Sequence, residues 1–404
     1  MKGFMNACMK MGQSMPTSPE MESQAENQSL QPKKLRNPMV TILKEILREE
    51  IKMEDDLKKE NKAILKDFLE TFVSRMKSKD ETFNLLYQRN YYTGSSFSGL
   101  RISRPDEYDI NLVLKLPYSA NDIEVQFQPQ TPSFVKYKIK NPEKYQEKYG
   151  KLAPFIKDGY LMPKKLRTWI QGVVDKARVS YQVPQKCKSL TPGSSGPAVT
   201  VYLNKENGDK IDIDLVLTFE CALKEKPPGI DGRVYERVKN KLQCFLVPKS
   251  YQKSNPSPIN DQECDRLWRT HFPVAENDII NDKGCVKPVI KLLKLLRDKE
   301  NWKILASYYL KTVVMWMVLS NPNQEYWRED KMGERFIEAL KKLADYVKNK
   351  KLPYFFSSKQ NLLYKMGDVQ SNNIFFRLTR IIRDIESDPS TLWKIFHVKP
   401  TFQT

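Results

Sequence analysis

The chain carries Gly94-Ser95-Ser96 and, a few residues on, Glu107-Tyr108-Asp109-Ile110-Asn111-Leu112-Val113-Leu114. From Tyr108 to Leu116 the residues alternate, with Ile110, Leu112, Leu114 and Leu116 on one face. That pattern predicts a half-buried strand ended by Pro117. Residues i and i+2 of a strand share a face, so Glu107 and Asp109 project together, away from the apolar side. Two carboxylates on one face repel each other and become tolerable when a divalent cation sits between them. The Gly-Ser-Ser turn ahead of the strand suits a triphosphate. Gly94 lets the backbone approach closely. The Ser95 and Ser96 hydroxyls and nearby backbone N–H groups can bond phosphate oxygens, with a helix N-terminus expected beside them.

A second acidic strand lies downstream. Val199 to Leu203 and Ile211 to Phe219 read as strands, with the hairpin signal Asn207-Gly208 between them. Ile211, Ile213, Leu215 and Leu217 share one face, and Asp212 and Asp214 share the other. If this strand neighbours the first, Glu107, Asp109 and Asp214 converge. Two-metal phosphoryl transfer requires such a cluster, with Mg²⁺ or Mn²⁺ ions about 4 Å apart clamping the attacking and leaving oxygens. Asp212 either stands behind the metals or faces solvent.

The rest of the chain frames this core. It has 404 residues and a formal net charge of +19, with 40% hydrophobic and 29% charged residues. That is too apolar for a disordered chain, and the charge favours a polyanionic partner. Six scattered Cys and two His, with no C-x-x-C pair, argue against a local zinc finger and for reduced thiols in a cytoplasmic protein. No secretory leader is visible, and the longest apolar run, near Val313 to Leu319, is far too short to span a membrane.

Residues 1–37 read as a disordered tail. Residues 38–260 read as a long N-terminal spine helix, to about Met76, followed by a mixed β-sheet catalytic lobe. Residues 261–404 read as a helical C-terminal lobe, with helices over Val286 to Arg297, Trp302 to Leu319, Lys331 to Lys348 and Val369 to Ser387. The fold class is α+β and bilobal. On a helical wheel Lys44, Arg48, Lys52, Lys58, Lys59, Lys62 and Lys66 fall within a sector of about 120°. Residues 132–190 add fourteen Lys and Arg against four acids.

The order of motifs resembles the nucleotidyltransferase core of cyclic GMP-AMP synthase and its animal synthase-like receptors. Thr93-Gly94-Ser95, Glu107-x-Asp109, Pro197-Ala198-Val199-Thr200, Ile213-Asp214, Leu246-Val247-Pro248-Lys249, Trp268-Arg269 and Ser307-Tyr308 with Lys311 carry the likeness, which spans roughly residues 40 to 395. It implies metal ligation by Glu107, Asp109 and Asp214. It implies nucleotide contacts at Thr93, Gly94, Ser95, Ser96, Lys249, Arg269, Lys294, Ser307 and Tyr308. The helix around Lys294 fits Lys291 equally well. The vertebrate synthase has a zinc-binding His/Cys insertion after the Trp-Arg strand. Here Phe272 to Val286 holds only Cys285, so no zinc is expected. Insect-type relatives share that departure and are receptors for double-stranded RNA.

The resemblance therefore implies a cytoplasmic enzyme of innate immunity, activated by double-stranded RNA. It would join ATP and GTP into a cyclic dinucleotide of the cyclic GMP-AMP type that acts on a STING-type receptor. Duplex RNA is read by shape through phosphates and 2′-hydroxyls. A basic helix face of Lys44, Arg48, Lys52, Lys59, Lys62 and Lys66 meets that need. A template-free oligoadenylate-type polymerase and a catalytically retired RNA- or nucleotide-binding scaffold are the alternatives.

Overall fold

A computed structural model describes residues 37–51, 55–131, 133–193, 198–221, 223, 226–251, 259–281 and 283–400. Most of the expected tail, together with Lys52 and Pro197, lies outside the described residues. The fold is α+β, and the described chain from Asn37 onward packs as one unit.

The segment expected as one spine helix forms two. The first, Pro38–Glu50, starts where the Asn37 side chain accepts from the Met39 amide and Pro38 occupies the first turn. It ends at Ile51, whose backbone leaves helical geometry. Val40, Leu43 and Ile46 bury its inner face against the C-terminal helices Val286–Lys299 and Met332–Lys348. The second helix, Asp55–Lys79, packs instead on the helix Pro163–Arg178. Its Phe68 and Phe72 stack 4.8 Å apart and meet the edge of Tyr181. The wheel that grouped Lys44 with Lys66 assumes one continuous helix, so it does not fix the relative direction of the two halves.

A mixed sheet forms the centre. Its strands run Tyr87–Thr93, Glu107–Leu114, Lys210–Cys221, Cys244–Val247, Leu267–His271 and Phe134–Ile139 in neighbouring order. Glu107–Leu114 and Lys210–Cys221 pair in parallel, and the remaining pairs in this run are antiparallel. Val199–Lys205 joins the far edge of Lys210–Cys221 through the turn at Gly208, whose φ is +87°. The strand Leu267–His271 belongs to this sheet although it lies beyond residue 260.

The C-terminal region is helical, with Val286–Lys299, Ser307–Ser320, Met332–Lys348 and Asp368–Ser387. The second of the expected helices begins at Ser307 rather than at Trp302, because Trp302 to Leu305 form backbone turns ahead of it. No described helix is long and apolar enough to cross a membrane.

Candidate active site

Strand register decides where the acids meet. Asp109 pairs with Asp214 across the two parallel strands, and Glu107 pairs with Asp212. Tyr108 and Ile110 on one strand, and Ile211, Ile213 and Leu215 on the other, are buried on the opposite face. All four carboxylates therefore share one side of the sheet. The row through Asp109 runs Thr93, Asp109, Asp214, Thr200 across four strands. The Thr200 hydroxyl donates to the Asp214 carboxylate, and the Thr93 hydroxyl donates to the Asp109 carbonyl oxygen at 3.3 Å.

The charge in this row is unbalanced. Burial, then the carboxylates of Asp214 and Glu107, push the Asp109 carboxyl up to about 6. Asp214 is raised as well, chiefly by burial. Such a cluster fits a hard divalent cation, since oxygen donors suit Mg²⁺ and Mn²⁺ and the cation's charge would offset the repulsion. Among the described residues the acids do not stand as a closed ligand cluster. Glu107 is drawn to Arg101 at 2.9 Å, and Asp214 is drawn to Thr200.

The turn ahead of the strand fits tightly against the acids. Gly94 has φ of +77°, and a Cβ there would stand 1.8 Å from Asp109 Oδ2. Only glycine allows this backbone to lie on that carboxylate. Beside it opens a cleft of about 270 Å³, walled by Thr93, Gly94, Ser95 and Asp109 on one side and by Lys294, Ser307 and Tyr308 on the other.

The chain matches the Mab-21 protein nucleotidyltransferase domain over residues 96–282 and the Mab-21 protein HhH/H2TH-like domain over residues 285–380. It is 31% identical over 376 residues to a cyclic GMP-AMP synthase-like receptor of Aethina tumida, covering 89% of this chain and 91% of that one. A receptor of the same name from Tribolium castaneum is 30% identical, over 88% of this chain and 91% of its own. The cyclic GMP-AMP synthase of Mus musculus is 24% identical, over 73% of this chain and 59% of its own. The chain belongs to the cyclic GMP-AMP synthase-like receptor family.

In this chain the other expected contacts divide. Lys294, rather than Lys291, walls the cleft. Its ammonium donates to the Leu100 carbonyl oxygen at 2.6 Å, and burial, then Arg297, pulls its pKa down to about 8. Ser307 accepts from Arg297 at 2.9 Å, and the Tyr308 hydroxyl donates to Glu276 at 3.0 Å. Ser96, Lys249 and Arg269 stand outside the cleft lining. The Ser96 hydroxyl donates to the Glu107 carbonyl oxygen at 2.7 Å, tying the turn to the strand. Arg269 lies between the rings of Phe134 and Tyr354 and donates to Gln360 at 3.0 Å.

Three groups in or beside the cleft were not expected from the sequence. Glu276, buried in the cleft wall, holds both Tyr308 and Lys311, the latter at 2.6 Å. Burial pushes its carboxyl up, but the Lys311 ammonium beside it, with the hydrogen bonds from Lys311 and Tyr308, holds it below the usual range. His271 lines the same wall, and burial pulls its pKa below the usual histidine value. Arg101 is buried beside Glu107. A lone acid in Val274-Ala275-Glu276 was the available signal for the first, while nothing local marks His271 or Arg101.

The expected RNA-facing residues also divide. Lys44 pairs with Glu329 at 2.8 Å, and Arg48 pairs with Glu45 and Glu49. On the second helix the Lys59 and Lys66 side chains are 79% and 74% exposed, with Asp56 and Glu70 at the loose distances of 3.7 Å and 3.9 Å. Lys62 is exposed between them.

Proposed function

We propose that this chain is a nucleotidyltransferase activated by double-stranded RNA, joining ATP and GTP into a cyclic dinucleotide of the cyclic GMP-AMP type. The register that sets Asp109 beside Asp214, with Glu107 on the same face and a cleft alongside, carries the reading. Glu107 and Asp109 would hold two Mg²⁺ or Mn²⁺ ions, with Asp214 completing one of the sites. Bound there, the ions supply charge neutralisation on the phosphates and a more acidic acceptor hydroxyl. Gly94 and Ser95 lay backbone and hydroxyl donors against the triphosphate, and Lys294 adds a cation. Tyr308 and Glu276 give the opposite wall an aromatic face and a hydrogen-bonding edge for a base.

Activation by duplex RNA is supported by the exposed Lys59, Lys62 and Lys66 and by the net charge of +19. In this reading the spine helices and catalytic lobe run from residue 38 past 260 to take in the strand Leu267–His271, and the helical lobe follows; the protein works in the cytoplasm, and the product acts on a STING-type receptor.

The test is product analysis. The chain is incubated with labelled ATP, GTP, CTP and UTP, Mg²⁺ or Mn²⁺, and duplex RNA or DNA, and the products are resolved by mass. A cyclic GMP-AMP species made with duplex RNA and lost in the Glu107→Ala, Asp109→Ala double variant is expected. Linear oligomers would favour the polymerase, and absence of any product would favour the scaffold. Better stimulation by DNA would remove the RNA assignment.

A further inference from the structure

We propose that Arg101 is a positioning residue for the Glu107 carboxylate, a role that rests on the cation-binding reading above. Arg101 lies between the Gly94–Ser98 turn and the strand that begins at Glu107. Its side chain is buried, and every nitrogen of the guanidinium is used. Nε donates to the Arg104 carbonyl oxygen at 2.6 Å, and Nη2 donates to the Asp106 carboxylate at 2.7 Å. Nη1 donates to the Glu107 carboxylate at 2.9 Å and more weakly to the Glu107 carbonyl oxygen at 3.4 Å.

A buried guanidinium persists only where its charge and donors are met. Here they are met within a few residues of the site that needs aiming. The fork is planar, so anchoring Nε and Nη2 fixes the direction of Nη1. The Glu107 side chain is 53% exposed and gains its direction from this contact. Arg101 bonds Oε2, which leaves Oε1 available to a cation. The frame that holds Arg101 is itself tied down. Lys294 bonds the Leu100 carbonyl oxygen on one side, and Asn61 bonds the Pro105 carbonyl oxygen on the other, at 2.9 Å.

A guanidinium beside a cation ligand acts in two opposite ways. Its charge opposes the cation, whereas its geometry spares the carboxylate the loss of freedom on binding. Arg101→Lys keeps the charge and removes the fork, so it separates the two.

The experiment titrates Mn²⁺ into the full chain and follows free Mn²⁺ by electron paramagnetic resonance. Thermal unfolding and nucleotidyl transfer are measured on the same samples. Arg101→Lys and Arg101→Ala are each expected to weaken Mn²⁺ binding by about ten-fold, the lower end for partners that orient metal ligands. Raising Mn²⁺ should restore much of the transfer rate in both. If Arg101→Ala does not fold, Asp106→Asn loosens the anchor while keeping Arg101 and should shift binding the same way by less. Unchanged or tighter Mn²⁺ binding in the Arg101 variants, while Glu107→Gln loses Mn²⁺, overturns the proposal alone. A wild-type chain that binds no Mn²⁺, or a Glu107→Gln variant that binds it equally well, overturns the cation-site reading and this proposal with it.

Discussion

Asn61 Nδ2, on the second spine helix, donates to the Pro105 carbonyl oxygen at 2.9 Å, and its Oδ1 accepts from Lys205 at 3.2 Å. One buried amide thus ties the helix both to the segment before Glu107 and to the strand Val199–Lys205. Asn61→Ala strands a buried carbonyl and one bond of a buried ammonium. The expected loss is about 2 kcal/mol in urea denaturation, within the usual penalty for unpaired buried groups. Transfer activity should fall further than this stability loss explains, because the segment carrying Arg101 is released. An unchanged unfolding midpoint would show that the tie is dispensable.

Gly94→Ala is the sharpest substitution in the turn. Its backbone would hold alanine in a left-handed conformation that costs about 1–2 kcal/mol. The new methyl would also stand on the Asp109 carboxylate. Relief requires Asp109 to leave its row, so cation binding and transfer should both drop at least a hundred-fold in a chain that still folds. Wild-type activity in this variant would contradict the fit of the turn against the acid.

Lys294 supplies a pH signature. Burial lowers its pKa to about 8, so the ammonium is present below that pH and is lost above it. Triphosphate affinity should therefore weaken as pH rises from 7 to 9. Lys294→Arg, which stays charged throughout, should flatten the profile, whereas Lys294→Ala should lower affinity at every pH. The check is KM for ATP across that range. A wild-type profile matching that of Lys294→Arg would remove the lysine from phosphate binding.

The two spine helices give different expectations for RNA. Charge reversal at Lys59, Lys62 and Lys66 should weaken duplex binding and reduce the log–log salt slope by about one for each phosphate no longer neutralised. Reversal at Lys44 and Arg48 should do less, because both already face carboxylates. Equal slopes in the wild type and the triple variant would mean that this face is only solvated.

How much of this was legible follows from what each residue depends on. Alternation along Tyr108 to Leu116 and Ile211 to Phe219 revealed which acids share a face, since that is a property of one strand. It could not show that Asp109 rather than Glu107 stands opposite Asp214, because register is set by a pairing across distant chain. The choice of Lys294 over Lys291 was likewise open, since both fit the exposed edge of an amphipathic helix and only packing against Leu100 separates them. Ser96 looked like a phosphate donor because its acceptor, a backbone carbonyl, leaves no trace in side-chain pattern. The break at Ile51 was hidden by continuous apolar spacing on both sides of it. Arg101 stayed invisible because an arginine in a polar segment looks exposed until the segment folds over it.

The parallel pairing of the two acidic strands also bears on how the protein is made. Asp109 and Asp214 meet only after the chain has passed through several strands and the helix Pro163–Arg178 and returned to insert Lys210–Cys221 beside Glu107–Leu114. Such a contact closes a long loop and forms late relative to local turns. A ribosome-bound chain that has not yet released Asp214 holds the turn and the first acid strand but no opposing carboxylate. Synthesis therefore brings the paired carboxylates together only once residue 214 has emerged, and a prematurely terminated product that stops short of that strand lacks the pair.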